Sequence, residues 1–98
     1  MTNFTRTLPA PLRTVANRLV SEGFTAHTTR SLNRGVKCVS LTKNDDQIVI
    51  NEDGYIELFT SNRNAYAQND CGWHQMYAYS EKDAQETLDF ILRTTGND

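Results

Sequence analysis

Leu12, Val15, Ala16, Leu19 and Val20 recur at the i, i+3, i+4, i+7, i+8 spacing of one helix face, with Pro9 and Pro11 before them and Gly23 after. The spacing predicts a first helix that stops at Gly23. The stretch 24–30 that follows is rich in threonine and alternates weakly, which reads as a strand running back from the helix. Residues 36–43, 47–51 and 55–61 alternate more clearly. They are separated by Asn44-Asp45-Asp46 and by Glu52-Asp53-Gly54, where Asp-Gly is a strong hairpin signal. Residues 61–72 form a long polar loop, and 73–79 alternate as a final strand. Ser80 then caps a closing helix, with Asp83 three residues on as the acidic half of a capping-box-like pair. Ala84, Leu88, Ile91 and Leu92 supply the buried stripe of that helix.

This order predicts an α+β domain: an N-terminal helix, a four- or five-stranded, mostly antiparallel meander sheet, and a C-terminal helix, with both helices on one sheet face. Alternate residues of a strand point to opposite faces. One set, Val39, Leu41, Ile48, Ile50, Ile56, Leu58, Met76 and Ala78, is apolar and suits a core beneath helices. The opposite set holds Tyr55, Glu57, Phe59, Trp73, Gln75, Tyr77 and Tyr79, aromatics interleaved with polar groups. Tyr and Trp combine large area with a polar handle and are enriched at interfaces, so this set is a candidate contact surface. The alternative is that the N-terminal arm, with Phe4, or the long loop folds over it.

A chain of 98 residues has room for one domain, 1–98, with residues 1–8 as a flexible arm. The opening residues hold no apolar run of signal-peptide type and no window approaches a membrane span, so no membrane association is expected. Cys38 and Cys71 then read as reduced thiols, and a cytoplasmic location follows. Charge is unevenly spread. Residues 1–44 carry seven Lys and Arg against Glu22 alone, a net of +6; residues 45–98 carry three against eleven carboxylates, a net of −8. That division either offers a charged surface to a partner or pairs internally.

Chemistry is thinly represented. In Cys71-Gly72-Trp73-His74 a thiol and an imidazole lie close in sequence, but a nucleophilic Cys needs a base at hydrogen-bond distance and a thiolate-favouring setting. Here Cys71 leads into a strand and Asp70 beside it disfavours the thiolate. The same pair with His27 and Cys38 makes a Cys2His2 set, although the second pair has no knuckle spacing. Glu52, Asp53 and Glu57 lack the nearby lysine of a nuclease-type centre and read as turn and surface carboxylates. No phosphate-loop, dinucleotide-binding, nucleophile-elbow or zinc-protease motif occurs. No enzyme activity, metal or cofactor is expected.

Two functions compete. The leading expectation is a non-enzymatic protein-binding domain, a small inhibitor or adaptor. Phage and mobile elements use proteins of this format against host defence, anti-CRISPR proteins among them. It would occlude another protein, a nucleic-acid-binding complex among the candidates, through the aromatic set, Asp53, Asp70 and the acidic C-terminal half; a homodimer is a further use of the aromatic set. The alternative is a winged-helix-like nucleic-acid binder. It requires residues 25–34 to be helical and uses Arg30, Asn33, Arg34 and Lys37 on phosphates and base edges.

Overall fold

The computed structural model describes residues 8–30, 37–60 and 73–95. Its elements are α1 (Ala10–Ser21), β1 (Thr25–Arg30), β2 (Lys37–Lys43), β3 (Asp46–Asn51), β4 (Tyr55–Phe59), β5 (Trp73–Tyr77) and α2 (Glu81–Thr95). The five strands form one sheet in the order β1-β2-β3-β4-β5, each pair antiparallel. The predicted α+β meander with a helix at each end is therefore the observed fold.

Local chemistry sets the element ends. Pro11 occupies the first turn of α1, where a missing N–H costs nothing. At the other end Phe24 N–H bonds to Leu19 O at 3.0 Å and Gly23 takes a φ of +105°, a left-handed stop open to glycine. Lys43 reaches across from the end of β2, donating to Glu22 O at 2.9 Å with its ammonium 5.6 Å from the Phe24 ring centroid. A cation is favourable beside the carbonyl end of a helix. The turn from β2 to β3 is made by Asn44-Asp45, with Asn44 at φ +55°. For α2, Asp83 N–H bonds to Ser80 Oγ at 3.1 Å, while Asp83 Oδ2 accepts from Tyr79 N–H at 3.0 Å. The carboxylate thus reaches one residue beyond the cap rather than back to it.

Cross-strand register fixes which residues share a face. Ala26, Leu41, Ile48 and Leu58 form one row beneath the helices, and Val39, Ile50, Ile56 and Met76 form the next. With Leu12, Val15, Ala16 and Leu19 of α1 and Ala84, Leu88 and Ile91 of α2 they make a single core, so both helices lie on one sheet face. Burying a side chain of this size contributes about 1.5–3 kcal/mol.

Three expectations change. Val20 is 39% exposed, because the core stripe of α1 ends at Leu19. The stripe of α2 runs through Thr87 and Thr94, both buried, while Leu92 is half-buried. Leu8, placed by sequence in a flexible arm, is buried in the core, and its carbonyl accepts a hydrogen bond from Arg13 Nη1 at 2.8 Å. The rest of that arm, residues 1–7, and the loop at 61–72 lie outside the described residues.

Candidate interaction face

The face turned away from the helices is built from short hairpins. β3 and β4 are joined through Glu52-Asp53-Gly54, where Gly54 adopts φ +101° and its N–H bonds to Asn51 O at 3.0 Å. That turn fixes the β3–β4 register; the β4–β5 ladder, at whose end Ala78 N–H bonds to Gly54 O, sets three cross-strand pairs in parallel rows: Phe59 with Trp73, Glu57 with Gln75, and Tyr55 with Tyr77. The sequence placed all six on one face, and the pairing puts them there. Phe59, Trp73 and Tyr77 are exposed. The Tyr55 and Tyr77 rings lie 5.2 Å apart, and Tyr77 stacks on Tyr79 at 5.9 Å and 21°.

Tyr79 arrives by a different route from the one its spacing suggests. β5 ends at Tyr77, and Ala78 N–H bonds to Gly54 O at 3.0 Å, turning the chain toward α2. Tyr79, 65% exposed, then lies against the Gly54 backbone. Asp53 is exposed in the same turn, with Oδ1 accepting from Tyr55 N–H at 3.3 Å. Asp53, Glu52 and Tyr79 help line a cleft of about 110 Å³ against Pro9, Pro11 and Leu12.

The rows continue into β3, β2 and β1, whose residues on this face the alternation also implies. The Phe59–Trp73 row extends through Gln47, Thr42 and Thr25, and the Glu57–Gln75 row through Val49, Ser40 and His27. Gln47 Nε2 donates to Ser40 Oγ at 2.8 Å across the β2–β3 pair. Period-2 alternation through β2 and β3 was the signal for these positions. In the third row Tyr55, Cys38 and Asn51 are buried, the last two as cross-strand partners, while Tyr77 at the β5 end of that row is exposed. Asn51 Nδ2 donates to Tyr55 O at 3.0 Å, while its Oδ1 is buried without a partner. Burial, and after it the negative charge of Glu57, pushes the Cys38 thiol up from its ordinary pKa.

Charge on this face is sparse. Among its described residues Glu57 is the single Asp, Glu, Lys or Arg. Lys37 and Lys43 belong to the alternation of Val39 and Leu41, on the helix side. The carboxylates of α2 are displaced from the aromatic rows as well. Glu86 and Asp89 are exposed on a helix that packs on the other side of the sheet, where α1 lies beside it. Of the acidic half, Glu57 and Asp53 therefore lie with the rings, whereas the exposed carboxylates of α2 do not share that surface, contrary to the sequence expectation. Asp70 lies outside the described residues.

The basic segment also differs from its winged-helix reading. Residues 25–30 are strand β1, so the helix required over 25–34 is not formed there. Arg30 and Lys37 are the cross-strand pair at the loop end of the β1–β2 hairpin, and Asn33 and Arg34 lie outside the described residues. The Cys2His2 set is likewise divided by the sheet. His27 and Cys38 belong to the helix-free side, whereas His74 pairs with Leu58 on the helix side and meets the Phe90 ring edge-on at 5.2 Å. Cys71 lies outside the described residues. Among the described residues no three His, Cys, Asp or Glu side chains gather as metal ligands, and no helix is long and apolar enough to cross a membrane.

Fold and face together define an α+β domain with two helices on one side of a five-stranded antiparallel meander and an aromatic, sparsely charged sheet surface on the other. Comparison with family models, with curated proteins and with solved structures finds no match to this chain.

Proposed function

We propose that this is a non-enzymatic protein-binding domain whose contact surface is the helix-free sheet face at its β4–β5 end. The observation that supports it is the run of exposed rings, Phe59 at 38%, Trp73 at 36%, Tyr77 at 53% and Tyr79 at 65%. Large side chains of this kind each contribute about 150–250 Å² when fully covered. The exposed fractions add to roughly 400 Å², about half of the ~800 Å² that one partner of a standard interface buries. That is enough for the apolar centre of a contact whose rim is Gln47, Gln75 and Asp53.

The scarcity of charge directs the choice of partner. Nucleic-acid-binding sheets combine stacking rings with cations that neutralise phosphates. Here the rings have no described Lys or Arg on their own face, and Glu57 lies between them. A protein surface with an apolar, hydrogen-bonding patch is the better complement. Action by occlusion, as an inhibitor or adaptor of the format phage and mobile elements deploy in the cytoplasm, rests on analogy of size and format alone.

The test is binding to a captured and then purified partner by Tyr79→Ala, Trp73→Ala and Tyr77→Ala variants whose circular dichroism and melting match the parent. Each substitution is expected to weaken binding at least about tenfold, the range of interface hot spots. Undiminished binding by all three, or a salt-sensitive complex with random duplex DNA in its place, overturns the proposal.

A further inference from the structure

We propose that β5 pairs edge to edge with β5 of a second copy of this chain, antiparallel about Gln75, to make one continuous ten-stranded sheet. A sheet in the order β1-β2-β3-β4-β5 has β1 and β5 as its edges among the described residues. Edge strands are usually blunted by charge, proline or bulges, since their outward N–H and C=O groups template another strand. β5, Trp73-His74-Gln75-Met76-Tyr77, contains no Lys, Arg, Asp, Glu, Pro or Gly and has the usual length of a strand. β1 is the more polar edge, with three threonines and Arg30.

The occupant follows from self-complementarity. Antiparallel pairing about Gln75 uses all five residues and sets Trp73 opposite the partner's Tyr77, and His74 opposite the partner's Met76. Each residue then meets one on the same face of the joined sheet. On the helix-free side the Phe59–Trp73 row continues into the partner's Tyr77 and the partner's Tyr55, four aromatics in line, and symmetry repeats the row. On the helix side His74 and Met76 are half-buried, as is Phe90 of α2 beneath them. Pairing covers this margin of the core. Glu57 and the partner's Glu57 are three strand spacings apart, about 14 Å. That exceeds the screening length of about 8–10 Å at physiological salt, so their repulsion is small.

Such pairing leaves the helix-free face open and doubles it, in contrast to a dimer made face to face. It does not depend on the proposed function. A five-residue pairing buries less than a standard interface of ~1,600 Å², so dissociation is expected in the micromolar range or weaker.

Sedimentation equilibrium of the full chain from about 10 µM to about 1 mM tests it across that range. The parent is expected to pass from monomer to dimer. Gln75→Lys places two ammonium groups opposite each other on the dimer axis and is expected to raise the dissociation constant at least about tenfold. Gln75→Thr, neutral and strand-favouring, retains the dimer, and so does His27→Lys at the other edge. A monomer at every concentration, or a dimer that Gln75→Lys leaves unchanged in a folded protein, overturns the proposal. A chain that is monomeric alone yet adds a strand from another protein at β5 counts against it in the same way. The Tyr79→Ala variant, altered off the strand, separates the two readings: it is expected to lose partner binding and keep the dimer.

Discussion

The ring of Tyr79 lies so close to Gly54 that a Cβ added there would stand 2.8 Å from Tyr79 Cδ1 and nearer still to Cε1. Gly54 also carries a φ of +101°, a conformation costly to any residue with a side chain. Gly54→Ala therefore faces backbone strain and a steric clash together. The expected loss is about 2 kcal/mol or more, a fall in Tm of roughly 10 °C for a domain of this size. Thermal melting checks the total. In the Tyr79→Ser background the same substitution is expected to cost less, because only the strain remains, and equal losses in the two backgrounds would show that the ring is not held there.

Ser80 is the next joint along the chain. Its Oγ accepts from Asp83 N–H at 3.1 Å while Asp83 Oδ2 holds Tyr79 N–H at 3.0 Å. Two backbone donors at the start of α2 are satisfied by two side chains. Ser80→Ala is expected to cost about 1 kcal/mol by urea titration, and Ser80→Asn, which restores a capping oxygen, to recover most of it.

These two joints show what was readable in the sequence. Short turns, Asn44-Asp45 and Asp53-Gly54, leave little freedom of register from β2 to β4, and period-2 alternation within β5 sorted its own residues, so the apolar and aromatic sets could be told apart. The Ser80 cap was readable for the same reason: its partners lie within four residues. Legibility failed where distant packing decides. Thr87 is buried and Leu92 only half-buried because the side of α2 that meets α1 and β5 is fixed by the sheet, and ranking by apolarity favours leucine over threonine. Alternation likewise told Tyr77 from Met76. It gave no sign that Asn51, Cys38 and Tyr55 are buried on this face while Trp73, Phe59 and Tyr77 are exposed, or that α2 takes its carboxylates to the far side of the sheet.

Cys38 supplies a prediction in pH. Burial, assisted by Glu57, raises the folded thiol's pKa, so folding favours the neutral form. The contribution is complete below the pKa of the unfolded thiol, about 8.5, and is lost as pH rises from there through the raised folded value. In a Cys71→Ser background, stability measured from pH 7 to 10 is expected to decline more steeply with Cys38 present than with Cys38→Ala. Iodoacetamide at pH 8 is expected to label native Cys38 at least about tenfold more slowly than the unfolded chain. Equal rates would mean that the thiol is accessible.

His74 separates a structural imidazole from a reactive one. It pairs with Leu58 beneath the helices, its ring meets Phe90, and its Nε2 is buried without a hydrogen-bond partner. A buried polar atom left unsatisfied costs about 1–3 kcal/mol, whereas an apolar side chain of similar size at the same point does not bear that cost. Leucine is close in volume and suits a position already flanked by Leu58, Met76 and Phe90. His74→Leu is therefore expected to be at least as stable as the parent, with a gain of up to about 1 kcal/mol in urea titration, and to bind the partner unchanged, because the side chain points away from the aromatic rows. Loss of binding in a variant of full stability would place His74 in the functional machinery and require that the helix side of β5 take part in recognition.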